Sequence, residues 1–109
     1  MPVVHVVAWK FKAEYSDDAV MEMFEKQLRV KERMPDIVID WQYGKNTTLV
    51  SRLDVNKGLN YMMVVYFKTQ ADLDAYLPHP QHQEMKVILK PMFDDMIVLD
   101  LDVPSLASL

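Results

Sequence analysis

The chain contains no cysteine, only two glycines in 109 residues, no excess of basic charge and no long apolar run. Without cysteine there is no disulfide framework, no thiolate chemistry and no cysteine-built metal cluster. No phosphate loop, dinucleotide fingerprint or nucleophile elbow is present. Twelve Lys and Arg against 16 Asp and Glu leave a net charge of −4, which argues against attraction to phosphate backbones or anionic lipid. Neither nucleic acid nor a membrane is an expected partner. No apolar segment approaches the ~20 residues of a membrane helix, and Met1-Pro2-Val3-Val4-His5 lacks the basic stretch and apolar run of a secretory signal. A cytoplasmic location is expected. Ala107-Ser108-Leu109 has the outline of a peroxisomal tripeptide but lacks its central basic residue.

What is present is apolar: 50% of the residues are hydrophobic, enough for one core. One domain over residues 1–103 with a short tail, 104–109, is predicted. Residues 3–12 are dense in Val, Trp and Phe at both parities, the pattern of a strand covered on two faces. Ser16-Asp17-Asp18 then supplies a cap and two acids for a helix running to Met34, with Val20, Met23, Phe24 and Leu28 on one side and Pro35 as its stop. The alternation Ile37, Ile39, Trp41, Tyr43 predicts a second strand ending at Gly44, and the polar stretch 45–60 a long loop. Tyr61 to Phe67 is a third strand, again apolar at both parities.

Thr69, with Asp72 three residues on, opens a short helix through Leu77 that Pro78 ends. Pro80 starts another, in which Met85, Ile88, Leu89, Met92 and Phe93 recur at helical spacing and Pro91 predicts a kink. Met96 to Val103 is the fourth strand, with Ile97, Leu99, Leu101 and Val103 on one face. The order strand, helix, strand, strand, helices, strand is that of an α+β, ferredoxin-like split βαβ fold: an antiparallel four-stranded sheet with helices on one face. Helices cover only one apolar parity of strands one and three. The other predicts a homodimer with two sheets packed face to face, a dimeric α/β barrel.

The residues also resemble a known family, the stress-responsive A/B barrel domain, from about Val3 to Val103. The likeness is carried by His5-Val6-Val7-Ala8-Trp9-Lys10-Phe11-Lys12, by Gly58-Leu59-Asn60-Tyr61 leading into Val65-Tyr66-Phe67, by Ala75-Tyr76-Leu77-Pro78-His79-Pro80-Gln81-His82, and by Leu89-Lys90-Pro91-Met92-Phe93-Asp94-Asp95. Its His-Pro-x-His element is the most specific part. The resemblance implies a ferredoxin-like protomer in a symmetric dimer. It extends to a plant polyketide cyclase branch that closes an aromatic ring by aldol condensation, whereas other members are stress-associated proteins without an assigned reaction.

The cyclase resemblance implies His82 as base and Tyr76 as its partner. His82 also lies in the first turn of the helix opened by Pro80, where the dipole disfavours the imidazolium, so a neutral imidazole near pH 7 is expected. Against this stands a His82 that is a surface helix residue and a Tyr76 that packs its ring inward. By the same resemblance His5 turns toward the helices and into the same cavity, although a histidine in an apolar strand also reads as core. His79, just before Pro80, reads as a capping or loop-locking residue.

The resemblance implies a cavity lined by Trp9, Phe24, Met63, Val65, Leu73, Leu77, Phe93, Met96 and Val98, suited to a hydrophobic small molecule. Those side chains also fit a plain core. Tyr61 stands where the cyclase branch carries a further pocket histidine, which separates this chain from that branch's substrate. A metal site from His5, His79 and His82 is not expected, because no carboxylate or cysteine pattern completes it. Asp94-Asp95, Asp100 and Asp102 read as solvated charge, and no cofactor is implied. The expected activity is a cofactor-independent, cyclase or aldol-type reaction on a small aromatic or polyketide-like carbonyl compound. A non-enzymatic, stress-type or ligand-binding dimer is the alternative, with oxygenases and isomerases on related barrels a third reading.

Overall fold

The computed structural model describes residues 1–48 and 50–104. The tail predicted over 104–109 therefore lies outside the described residues beyond Pro104, as does the C-terminal tripeptide. Four strands, β1 (Val3–Phe11), β2 (Asp40–Lys45), β3 (Tyr61–Phe67) and β4 (Phe93–Asp102), form one antiparallel sheet in the order β2-β3-β1-β4. Between β1 and β2 run α1 (Asp17–Met23), a π turn (Phe24–Leu28) and α2 (Val30–Arg33). The loop from β2 to β3 holds a 3-10 turn and α3 (Leu53–Asn56), and α4 (Gln70–Tyr76) and α5 (Pro80–Leu89) connect β3 to β4. This is the ferredoxin-like α+β fold that the element order predicts. Among the described residues no helix is long and apolar enough to cross a membrane.

The two parities of the central strands have different fates. Val3, His5, Val7, Trp9 and Phe11 are buried, as are their β3 neighbours Tyr61, Met63, Val65 and Phe67. Residues opposite each other in an antiparallel pair point to the same face, and the register sets His5 against Val65, Val7 against Met63 and Trp9 against Tyr61. Val20, Phe24, Leu28, Val30, Leu73, Tyr76 and Met85 close over this face. On the other face Val4, Val6 and Ala8 are half-buried, and Leu99 and Leu101 on β4 are each 58% exposed. Among the described residues nothing covers them.

Several element bounds differ from expectation. The first helix is not continuous to Met34: the π turn widens it and Arg29 follows in the left-handed region (φ 30°, ψ 51°). Neither Gly nor Pro stands between Phe24 and Arg29, so no residue type marks the break. β2 starts at Asp40 because turn bonds from Ile37 N (3.2 Å) and Val38 N (3.0 Å) to Met34 O hold the preceding residues back, and it runs through Gly44 to Lys45. The loop 45–60 is partly helical.

Pro91 ends the last helix instead of kinking it. Its missing N–H and its clash with the preceding turn stop α5 at Leu89. Lys90–Met92 tighten into a 3-10 turn, and β4 begins at Phe93, three residues before the predicted start at Met96. A register shift then follows: Lys10 faces Asp95 while Phe11 faces Phe93, leaving Asp94 as the extra residue of a bulge. The bulge lets Phe93 and Met96, an odd number of residues apart, face the helices together.

Candidate active site

A cavity of about 620 Å³ lies between the sheet and α5. Its apolar walls are Val7, Trp9, Met63, Met96 and Val98 from the sheet, Leu28 from the π turn, Leu77, Met85 and Leu89 from the helices, and Phe93 at the head of β4. Its polar groups are His5, Tyr76, His82, Lys86 and Lys90. Of the residues expected to line it, Trp9, Met63, Leu77, Phe93, Met96 and Val98 do so. Phe24, Val65 and Leu73 do not. Phe24 is fully buried and stacks on Tyr43 with ring centroids 5.1 Å apart, and Val65 and Leu73 are closed core beneath the helices.

The elbow between α4 and α5 brings the polar groups together. Thr69 caps α4 by accepting from Asp72 N (3.2 Å), as its spacing predicts. His79 N donates to Tyr76 O (3.1 Å), and His79 Nδ1 accepts from Gln81 N (3.1 Å), so His79 is the N-cap of α5 with Pro80 at its first position. The capping role predicted for His79 holds. The elbow sets His82 against Tyr76, ring centroids 4.5 Å apart.

His82 Nδ1 lies 2.8 Å from Leu77 O. A carbonyl only accepts, so Nδ1 carries the hydrogen and Nε2 of the neutral ring is its basic atom. Burial holds the imidazole below its ordinary value near 6.5; the Leu77 carbonyl opposes this, and the charges of His5, Lys86 and His79 add to it. The direction is that of the neutral ring expected from the helix dipole, with burial as the chief cause. Tyr76 is fully buried, and burial alone pushes its phenol up, so the hydroxyl stays protonated and able to donate.

His5 is buried at 3% exposure and meets the Tyr76 ring edge-on at 5.8 Å. Its Nδ1 donates to Asp100 Oδ1 at 2.6 Å. Asp100 is exposed, as expected of a solvated charge, but it is also paired: it stands opposite His5 in the β1–β4 register and holds that ring's orientation. The result is a row of His5, Tyr76 and His82 along one end of the cavity. The two histidines each have Nδ1 engaged. Among the described residues no three His, Asp or Glu side chains converge as metal ligands.

Tyr61 does not line the cavity. Its hydroxyl donates to Asp17 Oδ1. Burial first and Asp17 second push the phenol up, while Lys45 (2.8 Å from Asp17 Oδ2) and then Tyr61 hold the Asp17 carboxyl down. Tyr61 ties β3 to the start of α1.

Comparison with known families decides the relationship: the stress-responsive A/B barrel domain model matches residues 3–103. The chain belongs to the stress-responsive A/B barrel domain family. No curated protein sequence matches it. Among solved structures, the A/B barrel chain is similar to At3g17210 from Arabidopsis thaliana, with a TM-score of 0.81 at 20% identity over 95% of this chain and 97% of that one. It is similar to hydroxynitrile lyase from Passiflora edulis, with a TM-score of 0.77 at 18% identity over 92% and 91%. A dimeric ferredoxin-like protein of unknown function from Jannaschia sp. CCS1 gives 0.74 at 23% identity over 94% and 100%. At these identities the likeness is one of fold.

The residues missed at the sequence level are Val7, Leu28, Met85, Lys86, Leu89 and Lys90 in the lining, and Asp100 behind His5. Val7 shares the parity of His5 and Trp9, and Met85, Lys86, Leu89 and Lys90 follow His82 at helical spacing. Those signals were available. The Asp100 pairing was not, because it depends on where the bulge sets the β4 register.

Proposed function

We propose that this A/B barrel protein is a cofactor-independent enzyme acting on a small aromatic or polyketide-like carbonyl compound in the 620 Å³ cavity. His82 is the general base, Tyr76 the donor to the developing oxyanion, and His5 a second imidazole at the same end. In the step envisaged, His82 Nε2 removes a proton from carbon α to a carbonyl, and the electron pair moves onto that oxygen, which takes a hydrogen bond from Tyr76. The enolate carbon then adds to a second carbonyl of the same molecule, forming the new carbon–carbon bond. The imidazolium returns its proton to the alkoxide formed.

The observation that carries this reading is the adjacency of a half-buried imidazole and a buried phenol, 4.5 Å between ring centroids, in an apolar cavity. A cavity of this size falls in the range of ~300–1,000 Å³ usual for small-molecule sites. That a hydroxynitrile lyase shares the fold adds support for small-molecule chemistry here. The test is a panel of linear poly-β-keto substrates assayed with wild type and His82→Ala. Turnover should fall by about 10²–10⁴-fold, the usual contribution of a positioned general base. Product formation unchanged by the substitution would remove His82 from this role, and ligand binding without turnover by any panel member would make the chain a binding protein.

The assembly proposed is a homodimer through the open sheet face. The support is physical: an exposed apolar sheet face of this extent marks an interface. A neighbour of the same fold is itself dimeric.

A further inference from the structure

The polar side of the cavity comes largely from one edge of α5. His82, Lys86 and Lys90 follow one another at four-residue spacing, which stacks side chains on one side of a helix, and all line the cavity. No aspartate or glutamate lines it. That is notable in a chain whose acids outnumber its bases 16 to 12. Among the described residues the ion pairs are formed by His5, Lys26, Arg29, Arg33 and Lys45, and neither Lys86 nor Lys90 takes part in one. Asp100, on the same face of β4, is engaged by His5 at 2.6 Å. The helix dipole favours cations in the last turn of α5. It does not explain why the opposing wall carries no acid.

Resting on the reading of this cavity as the ligand site, we propose that its ligand is an amphiphilic carboxylate, whose aromatic or alkyl body lies against Trp9, Met63, Phe93 and Val98 while Lys86 and Lys90 hold the anionic end. The arrangement also sets where the ligand reacts. With a rise of about 1.5 Å per residue, Lys86 lies about 6 Å along the helix from His82, so an anchored carboxylate determines which carbon reaches the base. Before the ligand arrives, the Lys86 charge opposes protonation of His82, adding to the effect of burial.

The test is binding rather than turnover. Isothermal titration at about pH 7.5 compares 6-phenylhexanoate with 6-phenylhexan-1-ol on wild type, Lys86→Met/Lys90→Met and Lys86→Arg/Lys90→Arg. Wild type should bind the acid about tenfold tighter than the alcohol, an amount that two exposed lysines at the cavity rim supply together. The Met variant should lose that preference with its alcohol affinity unchanged, since methionine keeps the apolar stem, and the Arg variant should keep it. The preference should also shrink as salt is raised in the wild type, a reading that needs no variant. Equal affinities in wild type, or a preference that survives in the Met variant, would overturn the carboxylate assignment alone. Failure of both probes to bind would overturn it together with the cavity's role as the ligand site.

Discussion

An imidazole acts as a base only when one ring nitrogen lacks a proton, and at His82 burial favours that state while the Leu77 carbonyl decides which nitrogen it is. Leu77 O accepts a hydrogen bond from Nδ1, which leaves Nε2 as the basic atom, and burial disfavours a second proton. A group whose folded pKa lies below its ordinary value binds its proton first in the unfolded chain, so acidification favours unfolding. The His82 contribution to stability is therefore complete above about pH 6.5 and is lost as pH falls toward the lower folded value. Between about pH 7.5 and 5.5 the melting temperature of wild type should fall further than that of His82→Asn, as read by circular dichroism. An equal fall in both would mean that His82 titrates as an exposed histidine. Tyr76 and His82 were legible from the His-Pro-x-His element because both lie within one short elbow. Asp100 was not legible, since its partner His5 is 95 residues away and only the β4 register joins them.

At the scale of elements, what could be read was what local chemistry dictates. The apolar runs of β1 and β3, the Ser16 and Thr69 caps and the Pro80 start stand as expected, because each depends on a few adjacent residues. The π turn and the bulge in β4 do not, since both answer to packing between distant elements. The π turn leaves a local cost: Arg29 holds φ 30°, a region where a side chain is strained and glycine is not. Its carboxylate contact is a surface pair with Glu32 at 3.8 Å, which contributes little. Arg29→Gly should therefore stabilise the fold by about 0.5–1 kcal/mol, raising the melting temperature by a few degrees. A lower melting temperature would show that the segment does not hold this conformation.

At the scale of the whole molecule, the two faces of the sheet differ. The face bearing His5, Val7 and Trp9 is closed by helices except at the cavity, and the half-buried face bearing Val4, Val6 and Ala8 is the one proposed to meet a second copy. Leu99 sits on that open face opposite Val6. Leu99→Lys should convert the proposed dimer into a monomer in light scattering, with the melting temperature falling as protomer association is lost. A wild-type monomer at working concentration would contradict the assembly. The catalytic claim is most directly tested by its elementary step, which requires no knowledge of the natural substrate. With 4-phenyl-2-butanone in D₂O, deuterium entry at the carbons beside the carbonyl can be followed by proton NMR. Wild type should accelerate exchange over buffer, His82→Ala should lose about a hundredfold or more of that acceleration and Tyr76→Phe a smaller part. Exchange no faster than in buffer, or undiminished in His82→Ala, would contradict proton abstraction by His82.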